Sequence, residues 1–390
     1  MNILIVEDAR DQRMMLSVVL KKRGHQVLEA ESGPQALELL KDHPEIRVII
    51  SDWIMPGMDG MALCEAIRQS DSGHYIYFIL LTGQSDHKAV VEGIERGADD
   101  FLSKPVDFDE LDARLKAGIR IIQLKKVLEQ KIQIIEQDLE AAATTQRHLL
   151  CQPAQIQGIQ FDWLFQPSRF LGGDMFGYHA LDNEHIGFYQ LDVAGHGMPS
   201  ALFSFTLSHI LSEAGYGGSI LKDVLSDKPF YQIRAPERVL ASLNEQFQGT
   251  VDAMMYFTMI YGVINSVSGE VTLAQAGHPQ PLWLRSADRT VTKVAGAGVP
   301  VGMMPDMTYS SETIHCQPGD RLLLYSDGIT ECENAEGELF GEQRLMDVLA
   351  QGFDDSVSDL KERIEAAVIH WHGNNSFDDD VTFLVLDWQS

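Results

Sequence analysis

Between Asn2 and about Gly118, short apolar runs alternate with amphipathic stretches of helical period. That alternation predicts a parallel sheet wrapped by helices, because each apolar strand needs cover on both faces. The strands fall at Ile3 to Val6, Val27 to Ala30, Val48 to Ser51, Ile76 to Leu81 and Asp100 to Leu102, with helices in the gaps. Residues 121–149 then contain neither Gly nor Pro, and Ile121, Leu128, Ile135, Ala142 and Leu149 recur every seven positions. Ile132 and Leu139 add a second, imperfect series, which Lys125 and Gln146 interrupt. The pattern predicts one long helix with a coiled-coil seam, and the charged residues at most remaining positions favour a dimerising stalk over a helix packed on its own domain. From Ile156 onward, β-type runs such as Ile186 to Leu191 and Leu322 to Tyr325 are separated by Gly, Asn and Asp turns. Helical stretches follow Pro199, cover about Pro236 to Phe247, and cover roughly Glu342 to His372, so this half is mixed α and β.

A chain of 390 residues, 45% apolar, is long enough for two or more cores. Its 57 acidic against 30 basic residues give a net charge of −27, which disfavours nucleic acid and anionic membranes as partners. No basic helix-turn-helix follows Leu149, which argues against a transcription factor. Cys64, Cys151, Cys316 and Cys332 form no CxxC pair and fit reduced packing thiols. The opening MNILIVED lacks the features of a secretory leader, and the longest apolar run, around Ala253 to Ile264, is about half the ~20 residues that span a bilayer. A soluble cytoplasmic protein is expected.

The ends of the N-terminal strands carry the first candidate chemistry. Glu7 and Asp8 close the first strand, Asp52 the third and Thr82 the fourth, while Lys104 follows the fifth. In a parallel sheet these ends share one rim. Three carboxylates beside a lysine form a pocket for Mg²⁺, where Asp52 acts as nucleophile toward a phosphoryl group and Lys104 and Thr82 contact its oxygens. The motifs VED, SDWIMPGMDG, LLTG and GADDFLSKP make residues 1–120 resemble the receiver domain of two-component response regulators. The resemblance implies a doubly wound, five-stranded parallel α/β domain in which Asp52 accepts phosphate from a histidine kinase and Phe101 is the switch aromatic. Glu7 stands where many such domains carry Asp. Phosphorylation would then reposition Thr82 and Phe101 and act on the helix that runs into the stalk, residues 121–150.

In the C-terminal half, aspartates sit at the edges of apolar runs in GGD, LDVAGHG, YSDG and DDDVTFLV. Carboxylates fixed at strand ends repel one another, and hard divalent cations relieve that repulsion. Together with YFTMIYGVI and AGHPQPLWL, these motifs make residues 154–390 resemble the SpoIIE-like branch of the metal-dependent PPM phosphatases of the type 2C superfamily. The resemblance implies an α+β four-layer (α-β-β-α) β-sandwich binding two Mn²⁺ or Mg²⁺. Asp192 matches the bridging carboxylate, helped by the Val193 carbonyl, and Asp327 and Asp379 match the remaining ligands of one metal. Asp174 supports the second, and Asp379 is favoured over Asp378 or Asp380. A water acidified between two cations attacks phosphorus in line, so that Asp192 and Asp174 act through the metals and no cysteine nucleophile is needed.

Gly172, Gly173, Gly195 and Gly197 fit close backbone approach or tight turns around this cluster. His196 is a candidate acid or orienting group with an ordinary turn histidine as the alternative, His278 reads as structural, and Arg169 is a candidate contact for substrate phosphate. Where many relatives follow GGD with an aromatic–Asp pair, this chain has Met175, Phe176 and Gly177, so an auxiliary carboxylate for a third metal is absent. The expectation is a response regulator that dephosphorylates a phosphoserine or phosphothreonine protein, which the resemblance identifies as an anti-sigma-factor antagonist or similar partner-switching protein. It would form a homodimer through the linker helix. The alternative is a non-catalytic adaptor that binds a sigma factor or similar partner under receiver control.

Overall fold

Alternation along each N-terminal strand sorts its side chains to two faces, and both faces are buried on the strands Asn2–Val6, Val48–Asp52 and Tyr77–Thr82. In the computed structural model, which describes residues 1–70, 74–83, 96–195, 197–212, 220–228, 230–248, 256–294, 296, 298–374 and 376–389, the first 136 residues and Gln137–Ser390 form two compact units. The first unit holds five parallel strands, β1 (Asn2–Val6), β2 (Gln26–Ala30), β3 (Val48–Asp52), β4 (Tyr77–Thr82) and β5 (Asp100–Ser103), in the order β2-β1-β3-β4-β5. Leu4 and Val6 of β1 join one apolar cluster with Ala36, Met61, Leu63 and Ile67 of helices α2 (Gly33–Asp42) and α3 (Gly60–Gln69). Ile3 and Ile5 join another with Leu16 and Leu20 of α1 (Arg10–Lys22) and Leu111, Leu115 and Ile122 of α4 (Phe108–Leu149). The predicted strands are all present, with bounds shifted by one or two residues; the helix expected between β4 and β5 lies largely outside the described residues.

Helix α4 runs for 42 residues, so the last helix of the receiver continues without a break into the predicted stalk. Leu124, Leu128, Ile132, Ile135 and Leu149 are exposed along it.

The second unit is built on two antiparallel sheets. One has the order β16-β13-β12-β9-β8, from β8 (Met175–Ala180), β9 (His185–Val193), β12 (Phe257–Asn265), β13 (Glu270–Ala276) and β16 (Ser311–His315). The other has the order β15-β14-β17-β18-β7-β6, from β6 (Ala154–Ile156), β7 (Ile159–Gln166), β14 (Leu282–Arg285), β15 (Thr290–Lys293), β17 (Arg321–Tyr325) and β18 (Val381–Trp388). A hairpin of β10 (Lys222–Val224) and β11 (Tyr231–Ile233) stands apart.

Period-two alternation builds the layers. Leu322, Leu324, Leu384 and Leu386 point into a core shared with Phe188, Leu191 and Ile260 of the opposite sheet. Leu323, Tyr325, Phe383 and Val385 point outward onto Leu345, Leu349, Leu360 and Ile364. Those last residues belong to α8 (Gly341–Gln351) and α9 (Val357–His372), while α5 (Met198–Ile210) and α6 (Pro236–Phe247) cover the five-stranded sheet; α7 (Asp327–Thr330) is a single turn. The result is the four-layer α-β-β-α sandwich. The stretch expected to be one helix near Glu342 to His372 is two, because the chain turns after Gly352 and Ser356 starts a new helix with a capping box closed by Asp359.

Candidate functional site

Sheet order reverses between β1 and β3, and a parallel sheet opens a crevice at such a point. Glu7, Asp8 and Asp52 lie there, with ligand oxygens all within 4.8 Å of one another. Glu7 is fully buried. Burial raises its pKa, against a hydrogen bond from Lys104. Lys104 Nζ stands 2.8 Å from Glu7 Oε2 and 2.8 Å from Asp52 Oδ2. Burial disfavours its charge, yet the bonds to Asp52 and Glu7 prevail and its pKa is raised. One lysine leaves the three acids with surplus negative charge, a donor set that suits Mg²⁺. Thr82 is buried at the end of β4, and Phe101 on β5 has its ring centroid 6.3 Å from that of Trp53.

In the second unit, β8 and β9 pair with Met175 opposite Leu191, which sets Asp174, just ahead of β8, alongside Asp192 near the end of β9. In the facing sheet Tyr325 lies opposite Phe383, so Asp327 after β17 and Asp379 before β18 also leave as neighbours. The four carboxylates are linked by the charges they feel. Burial, then Asp192 and Asp380, pushes the Asp174 pKa well above the usual carboxylate range. Burial, then Asp327, Asp379 and Asp380, pushes Asp192 up to about 7. Burial, then Asp379 and Glu331, pushes Asp327 up to about 6. Asp379 is raised by desolvation of its carboxylate; the hydrogen bond from the Asp380 amide works against this and the Asp380 charge adds to it. Among the described residues a ring of three ligand atoms within 4.8 Å occurs only in the first unit, so these aspartates form a row of mutually repelling neighbours and not one tight cage. Asp174 Oδ2 is buried with no hydrogen-bond partner among the described residues. A row of hard oxygen donors, one of them orphaned, fits divalent cations.

Asp380 has a different part. Its Oδ1 accepts from the Ser168 amide at 2.8 Å, and its Oδ2 accepts from the Gly173 amide at 2.7 Å. It thereby holds the GGD loop, while Asp379 Oδ1 accepts from the Asp380 amide, and Asp378 and Asp379 are both exposed. The loop passes so close to the neighbouring strand that a Cβ on Gly173 would stand 3.0 Å from the Val193 carbonyl oxygen. Gly195 and Gly197 have φ of 99° and 82°, the left-handed region that the turn after Val193 requires.

Sequence reasoning missed Gln146. It reads as an interruption of the heptads, but it is 1% exposed, its Nε2 donates to the Gly172 carbonyl at 2.9 Å, and its Oε1 accepts from the Gly172 amide. His278 is buried and neutral, with a pKa driven down to about 3, and its Nδ1 lies 2.7 Å from Thr258 Oγ1. Thr258 is the cross-strand partner of Asp192, so the histidine buttresses the strand behind the site. Arg169 is exposed beside a cavity, and His196 lies outside the described residues. The cysteines are free, and burial raises the thiol pKa of each. No helix among the described residues is long and apolar enough to cross a membrane.

Residues 182–389 match the family model "Stage II sporulation protein E (SpoIIE)", and residues 3–116 match "Response regulator receiver domain". The chain is 30% identical over 252 residues to the phosphoserine phosphatase RsbP of Bacillus subtilis, covering 65% of this chain and 58% of that protein. It is 40% identical over 120 residues to the transcriptional regulatory protein AfsQ1 of Streptomyces coelicolor, covering 30% of this chain and 51% of that protein. It thus spans little more than half the length of either relative. The SiaA-PP2C domain of Pseudomonas aeruginosa shares the fold, with a TM-score of 0.54 at 20% identity over 66% of this chain and 98% of that domain.

Proposed function

The chain belongs to the SpoIIE family and carries a response regulator receiver domain ahead of the family's domain, and from that premise we propose that it is a receiver-controlled, metal-dependent phosphatase of phosphoserine or phosphothreonine proteins. The observation that carries this reading is the row Asp174, Asp192, Asp327 and Asp379, in which desolvation and neighbouring carboxylates, Asp380 among them, hold the pKa values up. Such a row is costly without cations beside it.

Asp192, the Val193 carbonyl, Asp327, Asp379 and Asp174 would hold two Mn²⁺ or Mg²⁺, which when bound supply an acidified water and neutralise charge on the phosphoryl group. The chain's own part is placement. Asp380 and Gln146 fix the GGD loop from two sides, and Thr258 with neutral His278 backs Asp192. A thiol nucleophile is disfavoured, because the cysteines are packed and hold their protons.

In the receiver, Asp52 takes a phosphoryl group from a histidine kinase, Glu7, Asp8 and Asp52 hold Mg²⁺, and Lys104 and Thr82 contact the phosphoryl oxygens. Phe101 then moves against Trp53, and residues 121–150 carry the change as a homodimeric stalk. The relative RsbP is named a phosphoserine phosphatase, and the same substrate class is proposed here, with an anti-sigma-factor antagonist as the partner in a cytoplasmic pathway.

The test is release of phosphate from a phosphoserine protein, with Mn²⁺ and with EDTA, by the full chain and by Asp192→Ala. The reading requires metal-dependent release that the variant lacks. Equal rates from both would identify a non-catalytic adaptor.

A further inference from the structure

The second unit contains a cavity of about 910 Å³ walled by the end of α4, the residues just before GGD and the start of α5. Its walls are chemically uneven. Leu139, Ala143, Phe170, Leu171 and Met198 give an apolar floor, and Phe170 and Met198 are 39% and 49% exposed. Arg147 on α4 and Arg169 ahead of GGD both line the cavity, both are exposed, and neither forms an ion pair with a carboxylate among the described residues. Glu140 is the one acidic residue in the lining among the described residues.

This balance runs against the rest of the chain. The chain carries 57 acidic against 30 basic residues, and several other arginines pair with carboxylates, as in Arg68–Asp99, Arg234–Asp223, Arg321–Asp387 and Arg363–Asp355. Two guanidiniums without a carboxylate partner among the described residues, set around an apolar lining, form a local positive field in an acidic protein. At physiological ionic strength charges are screened within about 8 Å, so a docked chain feels these arginines more than the distant net charge. Position adds direction. Leu171 is three residues before Asp174, and Gly197 lies just beyond the turn that follows Val193, so the cavity borders the segments that carry Asp174 and Asp192.

We infer that this cavity docks the polypeptide flanking the phosphoserine of the substrate protein, and that it selects a flank with an apolar side chain beside acidic ones. The apolar residue covers Phe170, Leu171 and Met198, and the acidic residues meet Arg147 and Arg169. The inference rests on the proposed phosphatase reading and names the substrate feature that the site recognises. The arginines set the sign of the preferred flank, a role distinct from holding the metals.

Two fluorescent peptides test this, identical except that the serine is flanked by Leu with Asp and Glu in one and by Leu with Lys in the other, each made with serine and with phosphoserine. Anisotropy with the serine forms reads docking without chemistry, and phosphate release from the phosphoserine forms with Mn²⁺ reads the reaction. The full chain should bind the acidic peptide more tightly, and Arg147→Glu and Arg169→Glu should each weaken that binding by roughly tenfold while improving binding of the lysine peptide. Each charge-reversed variant is first shown to melt as the wild type does, so that any change in binding reports on the cavity. Equal affinity of the wild type for the two peptides, or a parallel loss of both in the charge reversals, overturns the inference. Preference in binding with no phosphate release from either peptide leaves the cavity as inferred and sinks the phosphatase reading; release without preference does the reverse. If the charge reversals instead change the sedimentation mass of the chain, the cavity is an interface with a second copy and the inference falls.

Discussion

Gln146, near the end of a 42-residue helix, holds the backbone of Gly172 in both directions, donating to its carbonyl at 2.9 Å and accepting from its amide at 3.3 Å. Gly172 opens the loop that ends in Asp174, so the helix and the row of aspartates share one buried contact. Gln146→Leu keeps the volume but leaves two buried backbone groups without partners, at a cost of about 1–3 kcal/mol each. Support of this kind governs metal affinity by about 10–100-fold. The expected outcome is a manganese requirement raised by at least about tenfold, alongside a lower melting temperature. A manganese titration of phosphate release, paired with a thermal melt, checks it.

The raised acids give the metal-free protein a pH dependence of definite sign. Asp192 and Asp327 titrate near 7 and 6 when folded, against a reference of 3.8. The folded state therefore binds more protons than the unfolded one between about pH 4 and 7, and stability falls as pH rises through that window. In EDTA, melting followed by tryptophan fluorescence should drop from pH 5 to 7.5, with Trp163, Trp283, Trp371 and Trp388 reporting on this unit. Asp192→Asn should flatten the slope, and Mn²⁺ should stabilise more at pH 7.5 than at pH 5.

Lys104 lies 2.8 Å from carboxylate oxygens of both Glu7 and Asp52, and Glu7 is fully buried. Lys104→Met leaves two facing acids without their cation. Breaking a buried pair costs about 3–5 kcal/mol, and the 20% exposure of the Lys104 side chain places the loss below that range. Urea unfolding of the receiver should show the loss, and Mg²⁺ should recover part of it.

Asp52→Asn removes the phosphoryl acceptor. Acetyl phosphate with Mg²⁺ should shift the wild-type chain on a phosphate-affinity gel and leave the variant unshifted. A shift in both would place the acceptor elsewhere.

Leu128, Ile132 and Ile135 are 59%, 47% and 55% exposed on α4. Leu128→Glu with Ile135→Glu should convert a dimer to a monomer in sedimentation. A wild-type chain that is already monomeric, with and without phosphorylation, contradicts the stalk.

Local and periodic signals were the legible ones. Alternation placed the strands, and Asp174, Asp192, Asp327 and Asp379 stood out because a charge at the end of an apolar run is conspicuous in one dimension. Gln146 was hidden, since its partner Gly172 lies 26 residues away and nothing periodic marks such a contact. In the DDD run the resemblance favours Asp379 but gives Asp380 no part, and only three-dimensional packing shows Asp380 engaged with Ser168 and Gly173. The break between α8 and α9 was written in Gly352 and Ser356, but the helical period on either side masked it.

The account depends on cations between the two sheets, and anomalous scattering from a manganese-soaked crystal tests that most directly. It predicts two peaks contacted by oxygens of Asp174, Asp192, Val193, Asp327 and Asp379. Density elsewhere, with these carboxylates turned apart and no metal among them, would contradict it.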